Sequence, residues 1–126
     1  MQTKIPNSFI VFIFGLMLLC SCSSDTLVPE PSSINPDQPI SFKTDIQPVF
    51  TQSCALSGCH AGTIAPNLTD GKAYAALMLL NLVDTVNPAK SVIYIKMATG
   101  GSMSGYCTKT QSDLVLAWIR KGAKNN

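Results

Sequence analysis

Apolar residues form one unbroken run near the start of the chain and afterwards recur at helical spacing. The run extends from Phe9 to Leu19, behind Lys4. It falls short of the roughly 20 apolar residues that a bilayer-spanning helix takes, so residues 1–21 read as an export signal rather than as structure. The pattern then turns polar from Ser23 to Gln38, with Pro29, Pro31 and Pro36 inside the stretch and Pro39 just beyond it. Prolines at this density forbid a helix, so residues 22–40 are expected to form a semi-extended tether.

Beyond the tether, helical signals follow one another. Thr44-Asp45-Ile46-Gln47 has the form of a capping box, with Pro48 in or beside the first turn. Ile46, Val49, Phe50 and Cys54 then share one helical face. Thr69 or Asp70 is placed to cap a second helix over 72–80, a stretch rich in strong helix formers. Asn87-Pro88 predicts a turn, and 91–97 predicts a short helix with Ile93, Tyr94 and Met97 inward. The β-branched residues of that segment leave a strand as the alternative. Residues 99–109, with Gly100, Gly101 and Gly105, predict a flexible loop. A last helix is expected over 110–121, with Asp113 near its start, Gly122 as C-cap and Leu114, Val115, Trp118 and Ile119 as its buried stripe. No period-two alternation persists over any length, so the predicted class is all-α, a bundle of about four short helices.

The globular part, 41–126, is one small domain. At that size roughly a third or more of the unfolded surface stays exposed on folding, which leaves a marginal core. The formal charge is +2, and removing residues 1–21 takes away only Lys4 and leaves +1. The lysines are scattered rather than clustered, which argues against nucleic acid as a partner. The chain has no phosphate-binding glycine loop and no Ser/His/Asp arrangement, and His60 is its one histidine.

Leu19-Cys20-Ser21-Cys22 resembles a bacterial lipobox, with an aliphatic residue three before and a small residue just before the cysteine to be modified. Lipidation at Cys22 is the expected outcome. Cleavage that leaves Cys22 free, or one register earlier at Cys20 behind the bulkier Leu19, is the alternative. The mature chain is then exported, lipid-anchored to a bacterial membrane, and faces the periplasm or exterior, where disulfides persist and haem c is attached.

The chemistry concentrates in Cys54-Ala-Leu-Ser-Gly-Cys59-His60. Its common form, C-x-x-C-H, marks covalent attachment of c-type haem. Each thiol adds to one vinyl group, and the histidine beside the second cysteine becomes an axial iron ligand. Here four residues separate the cysteines, so 55–58 must bulge, and Gly58 supplies the backbone freedom for it. Two other readings stand beside haem. Cys54 and Cys59 could close a short disulfide loop, or Cys54 could pair with Cys107. Cys54, Cys59, His60 and Cys107 could instead make a Cys₃His zinc site, although adjacent Cys59 and His60 depart from the usual spacing of zinc ligands.

With these residues in place the chain resembles the small monohaem c-type cytochromes found as lipid-anchored exported proteins. The resemblance spans 43–126. It is carried by Asp45-Ile-Gln-Pro-Val-Phe, Cys59-His60, Asn87-Pro-Ala-Lys-Ser-Val-Ile-Tyr, a glycine loop holding a methionine, and Asp113-Leu-Val-Leu-Ala-Trp-Ile-Arg-Lys-Gly. It implies a cytochrome c-like helical bundle around one haem c, covalently held by Cys54 and Cys59, with His60 as proximal iron ligand. It also implies that the first and last helices cross beside the haem, with Trp118 and Ile119 at the crossing. Met103 is the expected distal ligand and Met97 the runner-up, because Met103 alone stands in a loop while Met78 and Met97 lie on apolar helical stripes. Ser104 follows Met103 where the family places proline. The expected role is electron transfer with redox partner proteins, as a carrier rather than an enzyme. A five-coordinate gas-binding haem protein and a haem-free, disulfide-stapled interaction module are the alternatives.

Overall fold

Helix formation begins at Ser41, three residues before the sequence signal. In the computed structural model, which describes residues 38–126, the Ser41 hydroxyl accepts from the Thr44 N–H at 3.3 Å. The Asp45 carboxylate answers by accepting from the Ser41 N–H at 2.7 Å. This reciprocal pair displaces the expected Thr44/Gln47 box. Thr44 Oγ1 donates only to the neighbouring Asp45 carboxylate, and the Gln47 amide is taken by a tertiary contact. A wide π-helical turn, Phe42–Ile46, runs directly into α1, Gln47–Ser53. The wide turn suits Pro48, whose missing N–H and ring would burden a regular helix at this point.

The second helix, α2, covers Ala73–Leu79. Its expected cap residue Thr69 contributes through its main chain, the carbonyl accepting from the Lys72 and Ala73 N–H groups at 3.0 Å each. The Thr69 hydroxyl makes no cap bond to the helix and instead donates to the Asn67 carboxamide oxygen at 2.6 Å. A 3₁₀ turn at Pro88–Lys90 leads into α3, Val92–Met97, which is helical rather than extended. The loop after it contains a second 3₁₀ turn, Ser104–Tyr106.

The last helix, α4, spans Lys109–Arg120 and starts one residue earlier than expected. Thr108 and Gln111 form a full capping box there, with bonds of 3.2 and 2.8 Å. At the other end Gly122, φ +91°, gives its N–H to the Ile119 carbonyl and Ala123 gives its N–H to Trp118. That pair of bonds is a Schellman cap.

No strand occurs among the described residues, so the observed class is all-α. The described residues belong to the compact unit Pro31–Asn126. The expected export signal, most of the tether and Cys22 lie outside the described residues. No described helix is long and apolar enough to cross a membrane.

Ile46 and Phe50 from the first helical segment, Leu77 from α2 and Val115, Trp118 and Ile119 from α4 are fully buried together. Side chains of this kind each stabilise the fold by about 1.5–3 kcal/mol on burial. The expected α4 stripe is shifted slightly. Leu116 and Ser112 are buried, while Leu114 is half-buried. Phe42 joins the segments, its ring lying 5.2 Å from both Tyr74 and Trp118. The Trp118 indole N–H donates to the Lys124 carbonyl at 3.0 Å, and the Tyr74 hydroxyl to the Ala123 carbonyl at 3.1 Å. Asn126 closes the structure by accepting from Lys43 N–H, Ser41 Oγ and Phe42 N–H at 2.9, 2.7 and 3.1 Å.

Candidate functional site

Cys54 caps the C-terminal end of α1, its N–H reaching the Phe50 carbonyl at 2.8 Å. The four residues after it bulge as the spacing requires. Gly58 sits at φ +79°, in the left-handed region where a side chain costs roughly 1–2 kcal/mol. The bulge closes on itself when His60 gives its N–H to the Cys54 carbonyl at 3.1 Å. Both cysteines and the histidine therefore belong to one turn. Cys59 is exposed, Cys54 and His60 are half-buried, and the thiols of Cys54, Cys59 and Cys107 are all free.

The imidazole is held by main-chain carbonyls. His60 Nδ1 lies 3.2 Å from the Ile64 carbonyl and 3.1 Å from the Pro66 carbonyl. Both partners only accept, so Nδ1 is the nitrogen that donates, and in the neutral ring this tautomer places the lone pair on Nε2. An imidazole with one nitrogen anchored and the other unprotonated is arranged as a metal-ligating histidine commonly is.

A second link fixes the same turn to α1. The Gln47 amide nitrogen donates to the Leu68 carbonyl at 3.0 Å, and the Leu68 N–H donates to the His60 carbonyl at 2.8 Å. Gln47 is almost wholly buried, at 5 % exposure. Reading by sequence missed Gln47, Leu68 and the Ile64 and Pro66 carbonyls as supports of His60. One signal was present: a glutamine beside Ile46 on a short helix needs a partner if it is buried.

Burial above all, followed by the nearby Cys107 and Cys59 thiols, pushes the Cys54 thiol up to about 11. Cys54 and Cys107 also pack against the same hydrophobic core. The Cys107 thiol is near enough to Cys54 to contribute to that rise. Cys107 Sγ donates to the Met97 carbonyl at 3.3 Å, with the Met103 carbonyl at 3.7 Å.

The two methionine candidates differ in burial. Met97 is 3 % exposed and its side chain fills the core, whereas Met103 is 37 % exposed. Leu56 and Ile64 on the motif turn, and Tyr106 on the loop, are further large apolar side chains left exposed. Among the described residues no three His, Cys, Asp or Glu side chains gather so as to hold a metal ion. Two hollows of the described surface, of about 270 and 430 Å³, are lined by neither Cys54, Cys59, His60 nor Met103. No protein family, no curated protein and no solved structure matches the chain.

Proposed function

We propose that the protein is an exported, lipid-anchored carrier of one covalent haem c that transfers electrons to and from partner proteins. The observation that carries this reading is the His60 turn. Two thiols flank a bulge that ends on an imidazole, and that imidazole has Nδ1 committed to the Ile64 and Pro66 carbonyls. The donor set fits haem c: an exposed thiol, a half-buried thiol and an imidazole nitrogen on one short turn, with an exposed thioether on another loop. Haem held by a histidine and a thioether supplies a one-electron ferric/ferrous couple, with its potential raised by the sulfur ligand.

The chain's own residues have distinct parts in this. Cys54 and Cys59 anchor through their sulfurs, and the bulge at 55–58 sets the separation between those sulfurs. The Ile64 and Pro66 carbonyls orient His60 and leave Nε2 as the ring nitrogen that would meet the iron. Leu56, Ile64 and Tyr106 offer apolar surface with no other cover. Met103, exposed in its loop, is the distal ligand, and Met97 is engaged in the core. Cys22 carries the lipid, and the tether sets the reach of the domain from the membrane.

The test is expression with export and haem-maturation functions beside a control cytochrome. The protein is expected to keep its colour through acid–organic extraction and to gain the mass of one haem. Its ferric form is expected to show a weak long-wavelength sulfur-to-iron band, lost in Met103→Ala and kept in Met97→Leu. Colourless protein of unmodified mass, with a matured control, would falsify the proposal.

A further inference from the structure

A helix of only six residues, α3 leaves most of its carbonyls without partners inside the helix. The loop that follows supplies them. Ala98 N–H bonds to the Tyr94 carbonyl at 2.8 Å and Met103 N–H to the Lys96 carbonyl at 2.8 Å. Cys107 Sγ reaches the Met97 carbonyl at 3.3 Å. Within the loop, Gly101 N–H bonds to the Ala98 carbonyl at 2.7 Å, and Ser104 Oγ donates to the Gly101 carbonyl at 2.8 Å. Gly101 passes so close to the helix end that a Cβ there would lie 2.2 Å from the Ile95 carbonyl oxygen.

The backbone around Met103 is therefore set by hydrogen bonds. Ser104 does not lock φ as a proline would, so the covalent chain contributes no such constraint. Of these bonds, the one from Cys107 is the only side-chain bond that joins the loop to α3. It also spans the loop, since the same sulfur lies 3.7 Å from the Met103 carbonyl. We propose that Cys107 is a positioning residue: its thiol clamps the Met103 loop to the C-terminal end of α3 and so fixes where the Met103 thioether stands. A thiol with the ordinary value of 9.0 is already protonated and able to donate at neutral pH, and partial burial moves Cys107 further in that direction. The effect on an iron ligand rests on the functional reading above, whereas the clamp itself does not.

The experiment compares the full-length wild type with Cys107→Ala and Cys107→Ser by amide hydrogen exchange, and follows the sulfur-to-iron band of the haem-loaded proteins under imidazole competition. Loss of this weak thiol bond is expected to speed exchange across 98–106 about two- to fivefold, with α4 amides unchanged. Cys107→Ser, which keeps a donor on a shorter arm, is expected to recover most of the protection. The imidazole concentration that displaces the band is expected to fall by the same factor in Cys107→Ala and to recover in Cys107→Ser. Unchanged exchange in Cys107→Ala overturns the clamp. Faster exchange in a protein whose wild type never shows the band supports the clamp and removes Met103 as ligand. Native-state alkylation of wild type decides the matter independently of any variant that fails to fold: Cys107 must react far more slowly than in unfolded chain, and equal rates overturn the proposal.

Discussion

Replacing Trp118 by phenylalanine probes the joint on which the bundle depends. Trp118 is 1 % exposed, its ring packs on Phe42 at 5.2 Å and on Tyr74 at 6.3 Å, and its indole N–H reaches the Lys124 carbonyl at 3.0 Å. The hydrogen bond is worth about 1 kcal/mol net. The smaller ring keeps contact with Phe42 but leaves a void where the second ring stood, at a further cost of about 1 kcal/mol. The sum, about 2 kcal/mol, corresponds to a fall in Tm of roughly 8–16 °C for a domain of this size. Trp118→Ala is expected to cost about 3–5 kcal/mol, a large part of the roughly 5–15 kcal/mol that holds a small domain together. Thermal melts followed by far-ultraviolet circular dichroism, with urea titration as a second probe, measure both. Leu79→Ala serves as control, since Leu79 is 82 % exposed and its loss is expected to move stability by no more than about 0.5 kcal/mol. A Trp118→Phe protein melting within about 3 °C of wild type would show that the aromatic joint does not hold the helices together as argued.

Thr108→Ala removes one half of the capping box on α4 and is expected to lower stability by about 1 kcal/mol, read as a Tm shift. Thr108→Ser is expected to restore the wild-type melt. Gly101→Ala places a methyl group 2.2 Å from the Ile95 oxygen and 2.4 Å from the Lys96 oxygen, and both obstacles are backbone. Hydrogen exchange is therefore expected to rise in the loop over 98–106 first, whereas equal exchange in wild type and variant refutes the close approach. In the unmodified chain, Cys54 at about 11 against an ordinary 9.0 holds about a hundredfold less thiolate near neutral pH than a free thiol. Its alkylation is expected to lag by at least that factor, and a rate equal to that of the unfolded chain contradicts the burial. The same shift gives a pH dependence. The folded state keeps the Cys54 proton while the unfolded state releases it, so this stabilisation is complete below pH 9 and is lost as pH rises toward 11. Urea midpoints of wild type and Cys54→Ser are expected to diverge in that window, and parallel curves tell against it.

The sequence alone located α2, α3 and α4 to within a residue or so, because the signals for them are short-range. Apolar residues at helical spacing and a Gly122 stop act within one or two turns. The same holds for the motif turn, where four residues between Cys54 and Cys59 demand a bulge and Gly58 takes the positive φ that it needs. Tertiary structure decided the partners. Thr44-x-x-Gln47 is a sound local cap, yet Gln47 bonds to Leu68, 21 positions away, and Ser41 starts the helix instead. The sequence already set Met97 on a helical stripe and Met103 in a loop, and packing adds how far each is enclosed, Met97 at 3 % and Met103 at 37 % exposure. His60 was legible as a residue type, but the two carbonyls that set its tautomer come from a loop without periodicity. Buried polar groups bond to whichever complementary group the fold brings within reach, and Asn126 beside Ser41, 85 positions away, cannot be read from neighbours along the chain.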